Sequence, residues 1–109
     1  MREFHVFPSA QQELEETIFH YSGLDVEDEL ADSFEVTYQG HLSAILTNPK
    51  LYNIREGMTR RANLRPRFGE YYIAYMIWNE KVIVLAIAHA KRAPYYWRNR
   101  ISAAKEMFE

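Results

Sequence analysis

Residues 60–100 hold three strand patterns in succession, separated by two short turns, and no other stretch constrains the fold as much. From Ala62 to Phe68 apolar and polar residues alternate. Ala62, Leu64, Pro66 and Phe68 take one face, and Arg61, Asn63, Arg65 and Arg67 the other, as the period-two geometry of a strand requires. Gly69-Glu70 reads as a turn, and Tyr71–Trp78 as a strand rich in aromatic and β-branched residues. Asn79-Glu80 turns the chain again. Val82–Ala88 is almost wholly apolar, the mark of a strand that is central in its sheet or covered on both sides. The last strand carries His89, Lys91 and Arg92 to its end, and a basic, aromatic segment follows.

Upstream, Glu3–Phe7 is a short strand candidate closed by Pro8, which cannot donate to a ladder. Ser9-Ala10-Gln11-Gln12 has the form of a capping box opening a helix with Ala10, Leu14, Ile18 and Tyr21 on its buried stripe, stopped at Gly23. Asp25 caps a second helix, with Glu27, Asp28 and Glu29 complementing the dipole of its first turn. Leu30, Phe34, Tyr38, Leu42, Ile45 and Leu46 form its apolar stripe, and Asn48-Pro49 ends it. Residues 50–59 read as an irregular connection. After the meander, Pro94 suits the first turn of a helix over Tyr95–Phe108.

The pattern is α+β in the order β-α-α-β-β-β-α: an antiparallel sheet, joined by the first strand, with the two N-terminal helices on one face. A chain of 109 residues with 48 % hydrophobic residues forms one domain, 1–109, with one core. Helices on a single face leave the other partly open, lined by the arginine row. No cysteine is present, no basic-then-apolar leader is visible, and the longest apolar run is far short of a bilayer span. These features predict a soluble, cytoplasmic protein.

Charge is unevenly divided. Residues 1–54 hold two basic residues against ten acidic, −8, and residues 55–109 eleven basic against five acidic, +6. A basic sheet half attracts phosphates or an acidic peptide; equally, the two halves can neutralise each other internally. Arg61, Arg65, Arg67, Lys91 and Arg92 are the candidate anion contacts, because arginine presents a fixed fork of donors at any working pH. Tyr71, Ile73, Tyr75 and Ile77 share a face and read as core, which leaves Tyr72, on the opposite face, as the tyrosine available for function. Trp97 reads as a packing anchor for the last helix. His89 could exchange a proton near neutral pH, or simply pack at its strand end. His5, His20 and His41 lack metal-ligand spacing, and there is no phosphate loop or nucleophile elbow, so no metal or cofactor is expected.

The ordered series F-x-x-Y-Y-I-x-Y, V-I-V-L-A-I-A-H-A-K-R and P-Y-Y-W-R-N-R, with Leu46-Thr47-Asn48-Pro49 upstream, resembles the toxins of the RelE/ParE superfamily across nearly the whole chain. The resemblance implies the same element order, a cognate antitoxin bound as a hetero-oligomer, and one of two targets. ParE-like members, "plasmid stabilisation" proteins, inhibit DNA gyrase; the ending H-A-K-R-A-P-Y-Y-W-R-N-R looks more like these. RelE-like members cut mRNA on the ribosome without metal. Laid onto this chain, their first-strand lysine pair falls near Asn63 and Arg65, their post-strand arginine at Arg92, and their C-terminal tyrosine at Tyr95 or Tyr96. The arginine they use on the middle strand falls at Tyr72, a departure that removes a positive charge from the reaction. The resemblance therefore implies a gyrase inhibitor first. An mRNA endonuclease using Arg65, Arg67 and Arg92, with Tyr72 or His89 for proton transfer, is the alternative. A non-toxic module binding an acidic peptide on the basic face is a third reading. In any of these, Arg61, Arg65, Arg67, Lys91, Arg92 and Tyr96 are the candidate contacts for target or antitoxin.

Overall fold

The computed structural model describes residues 3–24 and 29–109. Five strands form one sheet: β1 (Phe4–Val6), β2 (Ile54–Glu56), β3 (Thr59–Leu64), β4 (Phe68–Trp78) and β5 (Lys81–His89), in spatial order β1-β5-β4-β3-β2. The helices are α1 (Pro8–Ser22), α2 (Glu29–Thr47) and α3 (Arg100–Met107). This is the expected α+β fold, with one strand more. The sheet is mixed rather than antiparallel throughout, because β1 joins β5 in parallel, Phe4 opposite Val82 and Val6 opposite Val84.

The added strand lies in the stretch read as irregular. Gly57, at φ +57°, takes the left-handed conformation that lets the chain reverse between β2 and β3. A second correction concerns the first meander turn. β3 stops at Leu64 and the chain turns at Arg65–Arg67; Phe68 opens β4, and Gly69-Glu70 lie within that strand. Pro66 accounts for this, since it brings no N–H to a ladder. Asn79 and Glu80 do form the second turn, both at positive φ, as a tight hairpin requires.

α1 begins at Pro8 in its first turn, with Phe7 at the cap and no side-chain cap from Ser9, so the capping box does not form. The expected cap at Asp25, with Glu27 and Asp28, lies outside the described residues. Both apolar stripes of the N-terminal helices face the sheet. Ala10 and Leu14 of α1, with Phe34, Tyr38, Leu42, Ile45 and Leu46 of α2, pack on Ala62, Leu64, Ile73, Tyr75, Val82, Val84 and Ile87.

The other face is not left open. Trp97 and Ala104 pack there with Tyr72, Ala74, Met76, Ile83, Leu85, Ala86 and Ala88, forming a second core. This explains the wholly apolar β5: it is sandwiched between two layers. The register shift opposite Ala74–Tyr75 places both Leu85 and Ala86 on the second face, so Val84 and Ile87 can both reach the first. The last helix starts later than its sequence implies. Tyr95, at φ +59°, is in a left-handed conformation that no right-handed helix accepts, and α3 begins at Arg100.

Candidate functional site

β1 pairs with β5 only as far as Val84, where the chain turns into α1. Beyond that point the Ile87 N–H donates to Glu13 Oε1 at 3.1 Å, and the Leu85 carbonyl accepts from Arg100 Nη1 at 2.9 Å. Glu13 and Arg100 also bind each other, Nη1 to Oε1 at 2.9 Å and Nη2 to Oε2 at 3.1 Å. Their side chains are only 12 % and 15 % exposed. An edge that would otherwise bury unpaired backbone groups is thus closed by an ion pair drawn from α1 and α3.

Two residues of the basic, aromatic segment join the same carboxylate. Tyr96 donates its hydroxyl to Glu13 Oε2, and Arg92 Nη1 donates to that oxygen at 3.3 Å. The Arg92 guanidinium lies 3.7 Å from the centre of the Tyr96 ring. Five donors on one carboxylate exhaust its acceptor sites, so Glu13 is a structural anchor rather than a free base. Burial, then the hydrogen bond and charge of Glu13, raise the Tyr96 pKa far above the ordinary tyrosine value, against the opposing charges of Arg92 and Arg100. Tyr96 is therefore a neutral donor. Arg92 is different: its side chain is 56 % exposed, and with two cations on one anion the cluster keeps a net positive charge at the surface.

Beside this cluster is a cleft of about 210 Å³ lined by Glu16, Thr17, His20, Tyr71, His89 and Arg92 among others. His89 Nδ1 accepts from the Lys91 backbone N–H at 3.0 Å, which leaves Nε2 as the donor, and its ring meets Tyr71 edge-on at 4.8 Å. Lys91 is exposed.

The arginine row is dispersed. Arg61, on β3, lays its guanidinium 3.9 Å above the Tyr72 ring and donates from Nε to Asn63 Oδ1 at 3.3 Å. Arg65 and Arg67 are in the turn after β3, not on it. Arg67 is directed to α2, where Nη1 donates to Ser33 Oγ at 3.3 Å. Arg65 joins Arg61 in a separate cleft of about 310 Å³, with Asn53, Arg55 and Asn63. The Tyr72 side chain lies in the second core, 5 % exposed, and its oxygen accepts from Trp97 Nε1 at 3.1 Å. The structure therefore brings His89, Lys91, Arg92 and Tyr96 together, and Arg61 with Arg65. It separates the two groups, and it encloses Tyr72.

Sequence reasoning missed Glu13, Arg100, Asn53 and Arg55. Glu13 left a signal: it stands beside Ala10, Leu14 and Thr17 on the sheet-facing side of α1, where a charge needs a partner. Arg55 left none, because its strand could not be told from a loop. Among the described residues no group of three or more His, Asp or Glu side chains is placed to hold a metal ion, and no helix is long and apolar enough to cross a membrane.

Two helices on one face of a five-stranded sheet, with a basic, aromatic segment after the last strand, define a small α+β protein of the RelE/ParE superfamily. More narrowly, the family model described as the ParE toxin of the type II toxin-antitoxin system, parDE, matches residues 6–94, and the chain belongs to that family. It is accordingly the toxin of a type II toxin–antitoxin pair, a class whose partner is a cognate antitoxin. The matched span takes in Glu13, His89 and Arg92 and stops before Tyr96 and Arg100. No curated protein gives a significant match to the chain.

Proposed function

We propose that this toxin inhibits DNA gyrase, and that an acidic segment of its antitoxin engages the exposed Lys91 and Arg92 at the end of β5. The observation that carries the gyrase reading is the environment of Tyr72. In the RelE-like ribonucleases that the chain resembles, the corresponding middle-strand residue is an arginine. Here the position is filled by a neutral side chain whose oxygen is engaged by Trp97 Nε1 inside the second core. Removing one preorganised charge or donor from a developing oxyanion costs about 2.7–4 kcal/mol, a hundred- to thousandfold in rate. Tyr72 cannot restore it from beneath Arg61. The remaining basic residues suit binding rather than turnover: Arg92 is held by Glu13 and Tyr96, and Lys91 extends beside it.

A supercoiling assay with purified gyrase, run alongside a translating-ribosome assay, tests the proposal. Inhibition of supercoiling that the antitoxin reverses is the expected result. Efficient, codon-positioned mRNA cutting with no effect on gyrase would replace the gyrase reading with the ribonuclease one.

A further inference from the structure

α2 buries one stripe against the sheet and leaves the opposite one without a partner. Asp32, Val36, Gly40, Ser43 and Thr47 follow one another at steps of three and four residues, and all are exposed. Val36 is 72 % exposed, although valine is among the residues most often found inside. The surface runs on past the end of the helix. A cleft of about 380 Å³ along Gly40 and Ala44 adjoins the one of about 310 Å³ that Leu51 and Arg55 line, and the two share His41 and Tyr52. Leu51 is 57 % exposed. We propose that this surface is a dimer interface, on which a second copy of the chain lays its own α2 antiparallel to the first, across a two-fold axis near Ser43. The inference is independent of the gyrase reading.

Charge decides the occupant. Asp32 and Glu35 stand in the first two turns of α2, and Lys50 and Arg55 just past its end. All four are exposed, and among the described residues none of them makes an ion pair. The surface is therefore acidic at one end and basic at the other. A partner of one sign would satisfy one end and be repelled by the other. A second copy turned end for end satisfies both, because each contact of an isologous interface occurs twice. With Ser43 on the axis, Val36 falls toward Leu51 of the second copy, Glu35 toward its Lys50, and Asp32 toward its Arg55.

The middle of the stripe allows a close approach. No other part of the chain comes within 4 Å of the place where a Gly40 side chain would begin. Gly40, Ser43 and Ala44 are all small, and two helix axes can close to about 8 Å where the side chains between them are small. Covering this stretch costs little hydrogen bonding. Thr37 Oγ1 already donates to the Ser33 carbonyl at 2.8 Å, and Thr47 Oγ1 to the Ser43 carbonyl at 2.9 Å.

Sedimentation equilibrium of the full chain, with charge reversals at the two ends of the surface, tests the proposal. The parent chain should approach twice the mass of one chain as its concentration rises. Glu35→Lys alone and Lys50→Glu alone should each weaken the dimer about tenfold, since each sets like charges together at two symmetric places. The chain carrying both changes should regain the parent's affinity, because its two ends have simply exchanged sign. Gly40→Leu enters open space and replaces glycine with a better helix former, so its thermal midpoint should not fall. Its dimer should nonetheless weaken more than tenfold, because the added side chain holds the two helices apart. The proposal is overturned if the parent chain is still monomeric at about 1 mM. It is equally overturned if the double reversal binds no better than the single ones, if Gly40→Leu dimerises like the parent, or if the mass keeps growing past two chains.

Discussion

Glu13 and Arg100, 87 residues apart, meet through two parallel contacts of 2.9 and 3.1 Å, and the same two side chains bond the Ile87 N–H and the Leu85 carbonyl. The pair therefore does the work of a missing strand at the β5 edge. Breaking a buried pair strands the other charge, at a typical cost of about 3–5 kcal/mol. Some water reaches this one, so Glu13→Gln should lose about 3 kcal/mol in urea denaturation. In a double-mutant cycle with Arg100→Gln the two losses should fall well short of adding. A loss below about 1 kcal/mol would mean that the edge is held by other contacts.

Arg92 shares the Glu13 carboxylate but is mostly exposed, and exposed pairs contribute about 0–1 kcal/mol. Arg92→Ala should cost less than about 1 kcal/mol while weakening antitoxin binding, and the remaining affinity should depend less on salt. Calorimetric titration of the antitoxin at low and high salt decides this. Unchanged affinity and an unchanged salt slope would take Arg92 out of the interface.

Tyr72→Phe keeps the ring beneath Arg61 but leaves the buried Trp97 Nε1–H without its acceptor, which costs about 1–3 kcal/mol. Thermal stability should fall accordingly. Growth inhibition per folded molecule should stay the same if gyrase is the target. Inhibition abolished at matched folded protein would return Tyr72 to the chemistry.

Tyr38 and Tyr75 have their hydroxyl pKa values pushed up to about 12 by burial, and the Tyr75 hydroxyl also donates to the Pro49 carbonyl at 2.6 Å. Each holds its proton more tightly folded than unfolded, where the value is about 10. Their contribution is complete below about pH 10 and is lost as pH rises toward about 12. Urea midpoints should fall across that window, and tyrosinate absorbance should appear together with unfolding. Tyr38→Phe should make the fall shallower; an identical slope in that variant would remove Tyr38 as a cause.

The meander and the α2 stripe were legible because each rests on local periodicity: Phe34, Tyr38, Leu42 and Ile45 are buried as their spacing implies. The tight turn at Asn79-Glu80 was legible for the same reason. Alternation alone misled at Pro66, where a continuous apolar–polar pattern runs across a turn. It was blind to β2, three residues long with two of them exposed. The first site was half legible. Lys91, Arg92 and Tyr96 are neighbours in sequence, whereas Glu13 and Arg100 reach them only through the fold. The placement of Tyr72 depended on what covers the second face, and that cover comes from Trp97, in the turns that precede α3, together with Ala104 of α3.

The span between Glu13 and Arg100 also sets an order of events in the cell. Chain emerges from the ribosome at about 5–20 residues per second. The carboxylate on α1 is thus free long before its guanidinium is synthesised. Until Arg100 clears the exit tunnel, the Leu85 carbonyl lacks its arginine donor and the second core lacks Trp97 and Ala104. The sheet can be laid down early in translation, but it cannot be sealed until Arg100 has emerged. The finished toxin surface is therefore assembled only once its two most distant partners in sequence are both available.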